Sequence, residues 1–101
     1  MKIAIASDLS GFPLKEEIAR HLRGREGIEV MDFGIASVDR PEPYVEQAPR
    51  VARAIQAGEA DRGILVCGTG QGMAIVANKH KGIYACVVTD VFARVAAIVN
   101  G

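Results

Sequence analysis

At 101 residues, half of them apolar and 24% charged, the chain has the length for one hydrophobic core, and a single domain spanning residues 1–101 is expected. Twelve basic residues balance twelve acidic ones, which argues against a nucleic-acid or anionic-membrane partner and makes any affinity for an anion a local matter. The opening apolar run stops at Asp8, too short for a signal peptide or a membrane span, and Cys67 and Cys86 lack a C-x-x-C or Cys/His ligand pattern. A cytoplasmic protein with reduced thiols, no disulfide framework and no metal site follows.

Apolar, β-rich runs at 2–6, 27–31, 63–66 and 83–88 alternate with helical patterns, which predicts a three-layer, Rossmann-like α/β domain: a parallel sheet with helices on both faces. The first helix is expected to start near Ser10 and Pro13, with a capping hydroxyl, and to turn Leu14, Ile18 and Leu22 inward. Gly24 can end it. A loop over residues 34–43 leads to a second helix with Val45, Ala48, Val51, Ala52 and Ile55 inward and Pro49 in its first turns or at a kink. A short helix is expected over 73–79, and Asp90 can cap a last one that runs to Val99 and stops at Asn100-Gly101. Parallel sheets of this kind bind ligands beyond the carboxyl ends of their strands, where Asp8, Asp32-Phe33-Gly34, Cys67 and Thr89-Asp90 fall.

The most specific segment is Cys67-Gly68-Thr69-Gly70-Gln71-Gly72, a strand that ends in a thiol and opens onto alternating glycines. Glycine lets the backbone approach a ligand closely, and a helix starting just beyond would aim its unpaired amides and positive dipole end at the same place. No Lys-Ser or Lys-Thr follows at the spacing of a nucleotide-triphosphate loop. The dinucleotide fingerprint would need glycine where Met73 stands, and in the first βα unit. Cys67 alone could be a small apolar strand terminus, but the glycines beside it suit a base or nucleophile facing an anion. Thr69 is a turn residue or a partner in proton transfer, and Asp8 a helix cap or a ligand contact. Cys86, Met73 and Ile75 are expected in the core, and His21 and His80 in structural or solvated positions. A thiol redox role lacks a resolving cysteine within sequence range.

Together, K-I-A-I-x-x-D at the start, G-F-x-L-K-E-x-I in the first helix, the E-V-M-D-F-G stretch, and G-I-L-V-C-G-T-G-Q-G-M-A-I-x-A-N-K resemble the family of type B ribose-5-phosphate isomerases and galactose-6-phosphate isomerases along essentially the whole chain. The resemblance implies interconversion of aldose and ketose phosphates through an enediolate, with no metal or nucleotide cofactor. It also implies a homodimer or homotetramer with its sites at subunit interfaces. Carried over by position, Cys67 matches the proton-abstracting cysteine and Thr69 the hydroxyl beside it. Gly68, Gly70, Gln71 and Gly72 match the loop that holds the oxyanion. Asp8, Tyr44 and Asn100 match residues that contact or border the sugar.

Three departures qualify this picture. Leu9 stands where the family commonly has histidine, and Val99 where it has the histidine that opens the sugar ring. The family's further strand and helix, with phosphate-clamping arginines, have no counterpart in these 101 residues. The expected activity is therefore that of a sugar-phosphate isomerase favouring an open-chain or atypical substrate. The alternative is a non-catalytic or impaired sugar-binding subunit of an isomerase assembly.

Overall fold

The computed structural model describes residues 1–41, 44–68 and 71–89, with Tyr44 described by its backbone alone. Its elements are β1 (Lys2–Ser7), α1 (Phe12–Arg23), β2 (Glu29–Asp32), α2 (Tyr44–Gln56), β3 (Arg62–Val66) and α3 (Gln71–Asn78). Because Ile3, Ala4, Ile5 and Ala6 form an unbroken apolar run, β1 is suited to a central position covered on both faces. It is central, in a parallel sheet of order β2-β1-β3, with Ile5 opposite Asp32 on one side and Ile64 on the other.

Strand alternation then divides the core in two. Ala4 and Ala6 pack with Val51 and Ala54 of α2, joined by Met31, Phe33, Ile55 and Leu65. The small residue at Gly63 brings α2 close to the sheet, since a Cβ there would lie 2.5 Å from Val51 Cγ1. α1 covers the opposite face, where Lys15 reaches Asp32 and Gly11 lies against Val66, while α3 packs on α2. The expected three-layer, Rossmann-like arrangement is therefore present. No helix among the described residues is long and apolar enough to cross a membrane.

Several local expectations need correction. α1 begins with Gly11 as N-cap and no side-chain cap bond, so the Ser10 hydroxyl does not perform that task, although Pro13 does lie in the first turn. The helix turns Lys15 and Ala19 inward, leaving Leu14 exposed and Ile18 and Leu22 half-buried. Val45 and Ile75 are likewise exposed, and so is Cys86, whereas Ala48, Val51, Ala52 and Met73 are buried as expected. The apolar run 83–88 forms no strand: the Asn78 side chain donates to the Ala85 carbonyl at 2.8 Å and accepts from its amide at 2.7 Å. That amide bracket engages groups a sheet ladder would otherwise use. The segment instead borders an open cleft of about 950 Å³ running along β3 to Cys67 and Gly68. The expected last helix to Val99 lies outside the described residues.

Candidate active site

The sheet order defines where a ligand would sit. From β1 the chain passes through α1 to β2 on one side and then through α2 to β3 on the other, so the strand order reverses between β1 and β3. The crevice beyond the carboxyl ends of those two strands is the usual ligand site of a doubly wound sheet. Asp8 leaves β1 there, and Cys67 and Gly68 leave β3.

The two exits are joined by direct contacts. The Asp8 amide donates to the Val66 carbonyl at 3.2 Å, and Gly11 sits so close to that carbonyl that a Cβ would collide with it. Gly68 faces Ser10, where a Cβ would find an ordinary contact of 3.6 Å to the serine Cβ. Asp8 is half-buried, and its Oδ1 accepts the Gly11 amide at 2.8 Å. The carboxylate thus closes the turn that leads from β1 into α1. Cys67 is half-buried.

α3 starts at Gln71, two residues before the expected position, so Gln71 and Gly72 belong to its first turn. Amides of a first turn have no intrahelical acceptor, and the positive end of the helix dipole lies with them. Asp8, Cys67 and Gly68 are brought together at the switch point, and the helix carrying Gln71 and Gly72 begins just past the glycine loop. Tyr44 opens α2. Thr69, Gly70, Val99 and Asn100 lie outside the described residues. His21 is exposed, and His80 is half-buried with Nδ1 3.0 Å from the Val76 carbonyl, in keeping with structural or solvated positions.

Sequence reasoning missed a polar cluster at the end of β2. Lys15 Nζ donates to Asp32 Oδ2 at 2.8 Å and to the Ile35 carbonyl at 2.7 Å. Across the loop, Arg50 Nη1 donates to the Phe33 carbonyl at 3.2 Å, and Gln47 is buried beside it. The usable signal was the Lys15–Ala19 spacing, which puts both residues on one helical stripe.

A thiol, a carboxylate and a helix N-terminus thus lie around the switch point of a parallel α/β sheet. The chain matches the family model for Ribose/Galactose Isomerase over residues 3–100. It is 50% identical over 93 residues to a 4-deoxy-4-sulfo-D-erythrose isomerase of a Clostridium strain, covering 92% of this chain and 58% of that protein. It is 49% identical over 89 residues to ribose-5-phosphate isomerase B of Escherichia coli, covering 88% of this chain and 58% of the relative. The solved structure of Clostridium thermocellum ribose-5-phosphate isomerase B superposes with a TM-score of 0.87 at 47% identity, covering 92% of this chain and 62% of that one. The chain belongs to the ribose/galactose isomerase family. It spans somewhat less than two thirds of the length of these relatives.

Proposed function

We propose that this chain carries the proton-abstracting half of an aldose–ketose isomerase site and that its substrate is a short, open-chain sugar with a terminal phosphate or sulfonate. The observation behind this reading is the juxtaposition of Asp8 with Cys67 and Gly68 at the β1/β3 switch point. In the proposed reaction the Cys67 thiolate removes the proton from the carbon next to the carbonyl, leaving an enediolate. Thr69 passes a proton between the two oxygens, and the carbon-bound proton returns to the neighbouring carbon. No electrons leave the sugar. Amides of the Gly68–Gly72 loop, with the positive end of α3, would hold the negative oxygen, an arrangement whose strength comes from donors already in place. Asp8, Tyr44 and Asn100 would contact or border the sugar.

The choice of an open-chain sugar follows from Leu9 and Val99. Neither side chain can move a proton, so the family's ring-opening acid is missing at Val99 and a second proton-carrying side chain is missing at Leu9. A tetrose with an anionic group on C4 has no free C4 hydroxyl with which to close a furanose ring, and such a substrate needs no ring opening. The 4-deoxy-4-sulfo-D-erythrose in the name of one relative has this constitution. The proposal includes a cytoplasmic homodimer or homotetramer. A purely structural subunit would have no use for a thiol beside an oxyanion loop, which weighs against the non-catalytic alternative.

Hydrogen–deuterium exchange between substrate and water tests the reading, using tetrose, pentose and hexose phosphates and 4-deoxy-4-sulfo-D-erythrose. Exchange with the four-carbon substrates is expected to exceed that with the cyclic sugars by about 100-fold or more, the contribution of a missing general acid. Equal rates on cyclic and acyclic sugars would refute the open-chain assignment.

A further inference from the structure

Among the described residues, Lys15 is the only charged side chain that is fully buried. Its ammonium group is enclosed by Asp32 Oδ2 at 2.8 Å, the Ile35 carbonyl at 2.7 Å, Glu16 Oε1 at 3.0 Å and the Phe12 ring, whose centroid is 4.8 Å away. Taking a lysine out of water carries a large desolvation cost that a buried ion pair seldom returns as stability, so an apolar residue could fill this place at no loss if packing were the sole requirement.

The bonds beyond Lys15 lead to the candidate site. Asp32 uses its other oxygen, Oδ1, to accept the Gly34 amide at 2.9 Å, which shapes the loop leaving β2. That loop is fastened to the end of β1: the Ser7 amide donates to the Gly34 carbonyl, and the Ile35 amide donates to the Ser7 carbonyl at 3.0 Å. Ser7 is completely buried, and the next residue is Asp8, whose own amide is held from the other side by Val66. The end of β1 is thus gripped between the β2 loop, which Lys15 anchors, and the last residue of β3.

We propose that Lys15 is a positioning residue for Asp8. By fixing Asp32 and Ile35 it holds Ser7, and through Ser7 it sets the position of Asp8, whose amide is bonded to Val66, the residue before Cys67. This inference rests on the isomerase reading, in which Asp8 touches the sugar.

A double-mutant cycle with Lys15→Met and Asp8→Ala separates positioning from mere structure, using 4-deoxy-4-sulfo-D-erythrose and the sugar-phosphate panel as substrates. Lys15→Met is expected to raise KM about tenfold when Asp8 is present and by no more than about twofold when it is alanine, the non-additivity of residues that act as a unit. Should Lys15→Met fail to fold, Asp32→Asn is used in its place, because asparagine keeps the acceptor for Gly34 while removing the carboxylate from the ammonium. The same dependence on Asp8 is expected. An equal penalty in both backgrounds, with the wild-type chain active, overturns the positioning role and leaves the isomerase reading standing. A folded wild-type chain that turns over none of the panel overturns both.

Discussion

The Asp8 amide donates to the Val66 carbonyl at 3.2 Å, so the residue that follows β1 and the thiol that follows β3 leave the sheet side by side. This is the point where the strand order reverses, and the geometry there follows from short-range causes. Gly11 allows the start of α1 to approach Val66, and Asp8 caps the turn that leads into it.

Cys67→Ser and Cys67→Ala are expected to reduce solvent exchange of the substrate's carbon-bound proton by at least about 100-fold, as loss of a catalytic base does. Cys67 is half-buried at the end of a strand that is otherwise unchanged, so the circular dichroism spectrum and denaturation midpoint should stay close to those of the wild type. A cysteine-free chain that still exchanges the proton at the wild-type rate would remove the base from the mechanism.

The two glycines around this crevice should respond differently to alanine. Gly11→Ala forces a Cβ into the Val66 carbonyl and is expected to cost about 1–3 kcal/mol, the usual penalty of overpacking. Among the described residues Gly68→Ala meets an ordinary contact with Ser10 alone, and its effect on stability should lie within about 0.5 kcal/mol. Urea denaturation compares the pair, and a Gly68→Ala variant as unstable as Gly11→Ala would contradict the packing described for the crevice.

Asp8→Asn and Asp8→Ala separate the two tasks of this residue. Asparagine keeps an acceptor for the Gly11 amide, whereas alanine removes it and should lower stability by about 1 kcal/mol. Both substitutions should raise KM in steady-state isomerase assays. An Asp8→Asn variant with unchanged KM would reduce Asp8 to a brace for the turn before α1.

Much of the layout was legible in the sequence because period and punctuation agree with the tertiary structure. β1 shows the unbroken apolar run of a central parallel strand, and Cys67 and Gly68 leave β3 where strand-end logic places them. Lys15 was missed because a lysine in a Lys-Glu-Glu run has the pattern of a solvated face, and only the fold brings Asp32 and the Ile35 carbonyl to it. The same rotation of α1 exposes Leu14. The run 83–88 has strand composition, yet the Asn78 amide holds Ala85 at the end of α3, a side-chain competition that local propensity does not encode. Asp8, Cys67 and Gly68 lie at strand ends, as the sequence pattern predicts, whereas the grip on Ser7 by the β2 loop depends on contacts distant in sequence.

Asn78→Ala tests that competition directly. It removes both bonds to Ala85, and because they are exposed the cost should be modest, about 0.5–1.5 kcal/mol. Amide hydrogen exchange at Ala85 should accelerate, whereas unchanged protection there would show that the segment is held by something else.

Isomerisation by Cys67 of a sugar that is already open is tested most directly by deuterium incorporation from solvent into 4-deoxy-4-sulfo-D-erythrose and ribose 5-phosphate, followed side by side by NMR with the wild-type chain. Incorporation into the four-carbon sugar at a rate at least about 100-fold above that for the pentose phosphate is the expected result. Equal rates, or faster incorporation into the pentose phosphate, would rule out an open-chain preference.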